Sequence, residues 1–402
     1  RRKLHVANAL LTPQMITRKA LMILHQKLTF IGSIDRQHDN SFAKTGAKIG
    51  DTMKIRLPNR YTYRRGRVMA TQDTVEQYTS LQVATQGGVD MSFTSADLTL
   101  SIDDFAERFI EPAMAIVAAN MEADALTMYK DVYQAVGTPG TTPATMRVFT
   151  DARARLTNSL APLSKRYVHV TPDTQSAMVD ALKGLFQSSD EIAEQYREGL
   201  MGRTAGFDWY ENTLLPYHTN GNKVSSVQVN GAGQTGSTLN IKGVANADTF
   251  TKGTVFTIAN VFEVHPETKV TTNRLQQFVV TADATMSTTT GSISISPAIT
   301  LTGGRQNVSA SPADSAALTF VGSASTAYQQ NLAHHKDAFT FATVDLEVYP
   351  NQVFCARETY EGISMRIWKG TDIINDASPA RVDVLYGYVA QRPELAVRVY
   401  GG

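Results

Sequence analysis

Residues 103–132 carry the strongest helical pattern in the chain and read DDFAERFIEPAMAIVAANMEADALTMYKDV. After Pro112, apolar residues recur at spacings of three or four, which places them on one face of a helix of about 22 residues. This stripe consists of Met114, Val117, Met121, Ala125, Met128 and Val132. A stripe that contains methionine is typical of a packing face. Pro112 predicts a break or kink because it lacks an N–H, and Asp103 or Asp104 can cap the turn before it.

The helix lies in an acidic part of the chain that directly follows a basic part. Residues 1–70 contain fifteen Lys and Arg and three acids, a net charge of +12. Residues 71–140 contain eleven acids and two bases, a net charge of −9, whereas the whole chain carries only +1. The basic block could bind phosphate, or the two blocks could complement each other within a chain or between copies. We favour complementarity, because the acidic block follows at once.

An extended hairpin is predicted within these blocks. Apolar and polar residues alternate at 53–57 and at 89–93, which indicates two half-buried strands. The polar residues 58–88 between them show no sustained periodicity, and such a long connection is uncommon unless it is functional. A hairpin of this kind buries little against its own chain, so we expect it to pack on another one.

The remainder predicts an α+β domain interrupted by an all-β insertion. Thr12 and Pro13 fit a helix start, residues 147–160 and the segment after Thr171 are helical, and residues 167–170 form a strand. Residues 221–330, called the β module below, contain eighteen Thr, twelve Ser and ten Gly, with alternating runs typical of strands. Alternating strands return in residues 338–402.

Composition and motifs argue against an enzyme, a membrane span and a metal site. The chain of 402 residues suggests two to three domains, and no apolar run approaches the ~20 residues of a membrane helix. A single cysteine, Cys355, in apolar surroundings predicts a buried, inert thiol. The glycines of 231–236 match a dinucleotide fingerprint, but no helix follows, so we interpret them as a hairpin loop. His334 to Asp337 predicts a surface turn, and no cofactor is expected.

The order of these parts resembles the major capsid protein of tailed bacteriophages, and more narrowly the coat-protein family typified by phage P22. Four stretches carry the resemblance: DDFAERFIEP at 103–112, AGFD at 205–208, DTFTKGTVF at 248–256, and RVDVLYGYVA at 381–390 with RPEL at 392–395. The resemblance spans nearly all 402 residues.

The resemblance implies the HK97-type capsid fold, with a long E-loop hairpin, a spine helix and an inserted all-β domain. By analogy the parts are an N-terminal arm at 1–44, the E-loop at 45–100, the spine helix of the peripheral domain at 101–140, peripheral and axial segments at 141–221 and 329–402, and the inserted domain at 222–328. It also implies a shell of hexamers and pentamers around packaged double-stranded DNA that is contacted weakly and non-specifically. Implied partners are a scaffolding protein and a portal protein, with assembly in the host cytoplasm and no membrane.

Charge complementarity between subunits is our hypothesis for the assembly contacts. The candidate bases are Arg56, Arg60, Arg64, Arg65 and Arg67, and the candidate acids are Asp103, Asp104, Glu107, Glu111 and Glu122. Exposed ion pairs are each worth only ~0.2–1 kcal/mol, so repetition over many copies would supply the strength. Two other functions stay open at this point: a nucleic-acid-binding protein that uses the basic block, and a β-rich tail component or adhesin.

Overall fold

The computed structural model describes residues 13–39, 52–69, 71–72, 76–93, 109–182, 202–348, 354–360, 362–370 and 378–401. The helices are α1 (Pro13–Lys27), α2 (Phe30–Ser33), α3 (Glu111–Leu126), α4 (Met146–Asn158) and α5 (Pro172–Leu182). Short 3₁₀ turns occupy Thr127–Asp131, Lys336–Ala338 and Pro393–Leu395.

The strands, in chain order, are β1 (Asp35–Asp39), β2 (Thr52–Leu57), β3 (Gln77–Gln82), β4 (Thr85–Phe93), β5 (Ala135–Val136), β6 (Arg166–Val170), β7 (Arg203–Thr204), β8 (Phe207–Glu211), β9 (Tyr217–Thr219), β10 (Gln228–Val229), β11 (Gly236–Lys242), β12 (Thr249–Phe250), β13 (Val255–Val264), β14 (Thr271–Val280), β15 (Ala284–Thr285), β16 (Thr290–Ile299), β17 (Leu318–Phe320), β18 (Ala327–Gln329), β19 (Asn331–His335), β20 (Thr340–Val344), β21 (Phe354–Tyr360), β22 (Ile363–Lys369), β23 (Ser378–Val389) and β24 (Ala396–Val399).

The chain divides into two compact units, of which unit 1 comprises residues 1–55, 80–125 and 340–389. Its sheet has the order β1-β20-β23-β22-β21, and β4 pairs along β23. Strand β1 runs parallel to β20, whereas β23 is antiparallel to β20, β22 and β4. Helix α1 packs on β21 and β22 and buries its apolar face, as its helical spacing predicts.

All six predicted members of the apolar stripe are buried, and the first four of them lie in helix α3. The helix is shorter than the predicted length of about 22 residues. It spans 16 residues, Met128 lies in the 3₁₀ turn at 127–131, and Val132 follows that turn in an extended conformation. Pro112 is the second residue of the helix, where the missing N–H costs no hydrogen bond, since the first N–H groups of a helix have no internal partner. The hydroxyl of Tyr386 donates to Asp124 Oδ2 at 2.6 Å and fastens α3 to β23.

Unit 2 comprises residues 56–79, 126–339 and 390–402. Its first sheet has the order β5-β24-β19-β6-β8-β7, with α4 against β24. Helix α5 begins where the sequence predicts, because Thr171 Oγ1 accepts a hydrogen bond from the Thr174 N–H at 3.3 Å. Strand β9 immediately precedes the β module and pairs with β18 at the end of the module.

The β module is a sheet closed on itself around an aliphatic and aromatic core. Its strand order is β10-β11-β16-β14-β13-β17. The Val229 N–H donates to Ala316 and the Leu318 N–H donates to Val227, so the last strand is hydrogen-bonded back to the first. Phe256 and Phe278 are fully buried at its centre with ring centroids 5.8 Å apart. The alternating runs that predict strands here all lie in strands of the module, so the all-β prediction is confirmed. These runs are 239–241, 255–258, 278–280 and 293–295.

The α+β fold class is confirmed, and one predicted pairing is wrong. The sequence pattern suggested that the strands at 53–57 and 89–93 close one hairpin. Strand β2 instead pairs with β3, whereas β4 belongs to the sheet of unit 1. The sequence did not predict β3 because apolar and polar residues do not alternate strictly along it. Its pairing with β2 in the structure identifies it as a strand.

Candidate assembly surfaces

Residues 58–69, called the basic arm below, connect β2 toward β3 without regular secondary structure, and every one of them is exposed. Four of them are large apolar residues, and Tyr63 and Val68 have exposed fractions of 86% and 83%. The other two are Tyr61 and Met69. Contiguous exposed apolar side chains mark a surface that another chain covers.

Local hydrogen bonds give the basic arm a defined shape. The side-chain amide of Gln72 donates to the Thr62 carbonyl and accepts from the Thr62 N–H, both at 2.8 Å, which imitates a rung of β pairing. The Arg64 guanidinium donates to the carbonyls of Gly66 and Val68. The arm therefore presents an ordered turn in a single subunit.

The base of the basic arm rests on the β module. Arg60 Nη2 lies 3.3 Å from Glu394 Oε1, across 334 residues of sequence. A Cβ added at Gly304 would lie 2.3 Å from the Arg60 carbonyl oxygen, so glycine is required for this close approach. The arm is thus anchored at its base and open at its tip.

Three of the five predicted arginines contact their own chain through an ion pair or a hydrogen bond, and for the other two the described residues provide no carboxylate contact. Arg56 lies 3.6 Å from Glu76, Arg60 pairs with Glu394, and Arg64 holds the turn. Arg65 and Arg67 are exposed and contact no carboxylate within the part of the chain that the structure describes.

The predicted acidic residues differ in whether the structure describes them and in what they contact. Asp103, Asp104 and Glu107 lie outside the described residues. Glu111 is exposed at the start of α3 and lies 3.3 Å from Lys27.

Glu122 is used inside its own subunit, so we remove it from the candidate partners of a neighbour. It is only 3% exposed, and its carboxylate accepts hydrogen bonds from the N–H of Thr29, from Thr29 Oγ1 at 3.0 Å and from the Ile31 N–H at 3.4 Å. Burial raises the pKa of Glu122, and the hydrogen bonds from Thr29 oppose this rise. It ties α3 to the start of α2.

Comparison with known proteins places these features in a family. A family model described as "P22 coat protein - gene protein 5" matches residues 43–401. The chain belongs to the P22 coat protein family. It is a major capsid protein that forms the shell of the virion, and the family is structural and not enzymatic.

Solved structures from several phages are similar to this coat protein. A structure titled "Mycobacterium phage Che8" is 12% identical in sequence over 92% of this chain and 90% of that chain, with a TM-score of 0.42. The mature capsid of bacteriophage PhiM1 is 10% identical over 93% and 87%, with a TM-score of 0.44. The CUS-3 coat protein I-domain is 29% identical over 24% of this chain and 96% of that chain, with a TM-score of 0.18. No curated protein matches the chain.

His169, His334 and His335 pack inside the coat protein, and the predicted surface turn is wrong for His334 and His335. His334 and His335 end the central strand β19 and are buried. The His334 ring stacks on the His169 ring of β6 with centroids 5.4 Å apart and an angle of 3° between the planes. Across the described ranges, no three His, Cys, Asp or Glu side chains are grouped to hold a metal ion.

Three further observations complete the account of the predicted sites. Cys355 is half-buried on β21, which is more exposed than its apolar sequence context suggests. Gly231 and Gly233 lie in the loop between the antiparallel strands β10 and β11, as expected, and Gly236 begins β11. None of the described helices is sufficiently long and apolar to cross a membrane.

Sequence reasoning missed the apolar tip of the basic arm. Tyr63, Val68 and Met69 occur in a segment without periodicity, where apolar residues have no internal face to occupy. That mismatch between apolar side chains and an absent pattern was the available signal.

Proposed function

We propose that the basic arm is the segment by which each coat subunit holds a neighbouring copy in the shell. The exposed apolar tip carries the proposal, because Tyr63 and Val68 are almost fully exposed on a turn that internal hydrogen bonds already order. An ordered segment loses less conformational entropy on docking than a disordered one.

Apolar contacts supply more of the docking energy than ion pairs in this proposal. Burying a side chain such as Val or Met contributes about 1.5–3 kcal/mol, whereas an exposed ion pair contributes ~0.2–1 kcal/mol. Arg65 and Arg67 therefore select the partner surface and its register. Their acidic partners are Glu111 of the neighbour together with Asp103, Asp104 and Glu107, which precede it in sequence.

The first experiment compares Val68→Ser with the matched control Val270→Ser. Val270 is 63% exposed on the β module, so both changes remove the same apolar groups from an exposed position. We expect Val68→Ser to lower the yield of closed shells, counted by electron microscopy and sedimentation, while circular dichroism of the subunit stays unchanged. Equal shell yields from both variants would contradict the proposed role of the apolar tip.

A second experiment addresses charge. The double variant Arg65→Glu, Arg67→Glu should block assembly while the subunit remains folded, because neither side chain contacts a carboxylate of the described chain. The control Arg147→Glu, Arg203→Glu reverses two exposed arginines elsewhere. Normal shells from the arm variant would remove the ionic part of the proposal.

The finer organisation is also a proposal. We assign the HK97-type parts as an N-terminal arm at 1–44, the E-loop at 45–100, the spine helix at 101–140, peripheral and axial segments at 141–221 and 329–402, and the inserted domain at 222–328. Pairing of β9 with β18 supports the last assignment, because the chain enters and leaves the β module through adjacent strands. Deleting 222–326, which keeps both strands, and joining the strands with a short turn should leave a folded protein, and near-ultraviolet circular dichroism tests this.

The proposed partners are those of a shell that is assembled and then filled. They are hexamers and pentamers of the chain, a scaffolding protein and a portal protein in the host cytoplasm, and double-stranded DNA that contacts the wall weakly. The net charge of +1 supports weak DNA contact, since strong non-specific binding relies on a basic excess. Electron microscopy of the protein expressed with and without its scaffolding partner tests this, and identical closed icosahedral shells in both cases would remove the scaffolding requirement.

A further inference from the structure

A cavity of about 460 Å³ with a mixed polar and apolar lining lies in unit 2, where the base of the basic arm meets the β module. A second cavity of about 90 Å³ adjoins it, since five lining residues are common to both. The combined volume is within the range of sites that hold small ligands.

The described residues that line the two cavities carry an excess of positive charge. Five guanidiniums face two carboxylates, which leaves a surplus of three positive charges. The guanidiniums belong to Arg60, Arg155, Arg274, Arg305 and Arg392, and the carboxylates belong to Glu263 and Glu394.

Both carboxylates are already engaged. Glu263 receives Arg274 on one oxygen and Arg155 on the other at 3.4 Å. One oxygen of Glu394 receives both Arg60 and Arg392, each at 3.3 Å. Arg305 is left over, and its Nη2 is buried without a hydrogen-bond partner in the described part of the chain.

The charges around Arg305 leave its positive charge only partly compensated. Burial and the nearby Arg60 lower the pKa of Arg305, and Glu394 only partly opposes them. Among the described residues, the ammonium of Lys269 donates only to the backbone carbonyls of residues 266, 304 and 306, and burial together with Arg60 lowers the pKa of Lys269 as well. A buried donor without a partner destabilises the fold, and it does so more strongly when it is charged.

We infer that this cavity binds a small tetrahedral oxyanion of the phosphate class, with Arg305, Arg60 and Arg392 as its ligands. Guanidiniums match phosphate oxygens through pairs of parallel hydrogen bonds. The three arginines come from the β module, the basic arm and the segment after β23. A compact ion reaches all three segments at once, and it thereby fixes the base of the arm to the β module.

The experiment measures binding of inorganic phosphate and pyrophosphate to the purified coat subunit by calorimetry, with sodium chloride at equal ionic strength as the reference. Arg305→Gln removes the unpaired guanidinium, whereas the control Arg147→Gln removes an exposed arginine from the same helix that carries Arg155. We expect saturable binding of one anion in the parent and the control, and at least tenfold weaker binding in Arg305→Gln.

Thermal unfolding in chloride shows whether a variant that has lost phosphate binding is still folded. In chloride, the melting temperature of Arg305→Gln should equal or exceed that of the parent, because the substitution removes a buried unpaired cation. Added phosphate should raise the melting temperature of Arg305→Gln less than that of the parent. Arg392→Gln provides a second variant with the same expected loss of binding. Equal effects of phosphate on all proteins would overturn the inference, and so would Arg305-dependent binding of duplex DNA without binding of either free anion. Neither outcome depends on whether the basic arm contacts a neighbour.

Discussion

The β module and the basic arm differ in where their apolar side chains are buried. The module closes its sheet on itself and buries eighteen hydrophobic residues in one cluster. The arm exposes all of residues 58–69, including four large apolar side chains. A shell subunit therefore carries one part that is stable within the subunit and another whose apolar groups are buried only after assembly.

The difference also explains where charge is placed. A segment that exposes Tyr63, Val68 and Met69 before assembly risks non-specific association. Interspersed arginines raise the solubility of such a surface, and they repel the arms of other free subunits. In the β module, by contrast, Lys242 on β11 lies 2.8 Å from Asp314 in the turn before β17, so this ion pair forms within a single subunit.

The largest expected effect tests whether the core of the β module is stable within a single subunit. Phe278→Ala should lower the free energy of unfolding by about 3–5 kcal/mol, because it leaves a cavity beside Phe256 in a closed core. Chemical denaturation of the purified subunit measures this loss. Val270→Ala, on the exposed surface of the same module, is the control and should change stability by less than about 0.5 kcal/mol. A loss below about 1 kcal/mol for Phe278→Ala would mean that the core is not closed.

The second largest expected effect is that acid destabilises the entry to the β module and leaves the charge of the basic arm unchanged. His218 at the entry to the module is buried, with Nδ1 3.2 Å from the Tyr129 hydroxyl and Nε2 3.3 Å from Thr254 Oγ1. Burial, with Arg398 and Lys130, lowers the pKa of His218 to about 3. The unfolded chain binds the proton with a pKa of ~6.5, so stability is fully present above pH 6.5 and falls as the pH drops.

At pH 4 this single group removes about 3 kcal/mol of stability. The described basic arm contains no Asp, Glu or His, so its own charge does not change in this range. The measurement is the slope of unfolding free energy against pH between 6.5 and 4, in the parent and in His218→Gln. The variant should show a shallower slope, and identical slopes would show that His218 does not titrate with this shift.

These contrasts also show how far the sequence predicts the fold. The stripe from Met114 to Val132 and the strands of the β module follow from residue spacing, because burial there repeats with the period of the element. His334 was misjudged because its burial depends on β6 and β24, which flank β19 in space and not in sequence. The pairing of Arg60 with Glu394 across 334 residues has no local pattern at all.

A smaller effect is expected where the basic arm meets the β module. Gly304→Ala places a Cβ 2.3 Å from the Arg60 carbonyl oxygen, and a backbone contact of this kind must shift. We expect a loss of about 1–3 kcal/mol and faster proteolysis in residues 58–69. Gly32→Ala, where the added Cβ has no neighbour within 4 Å, is the control. Unchanged proteolysis of Gly304→Ala would show that the module does not anchor the arm.

The smallest effect on the isolated subunit is expected at the tip of the basic arm. Tyr63→Ser removes a large aromatic ring, but the ring is 86% exposed, so the free energy of unfolding should change by less than about 0.5 kcal/mol. Phe278→Ala removes a ring of similar size and should cost several times more, because that ring is buried in the unassembled subunit. Denaturation and shell yield, measured on the same preparations, distinguish the two positions. If Tyr63→Ser destabilised the free subunit as much as it reduced assembly, its ring would be packing against its own chain, and the contrast between the two regions would be lost.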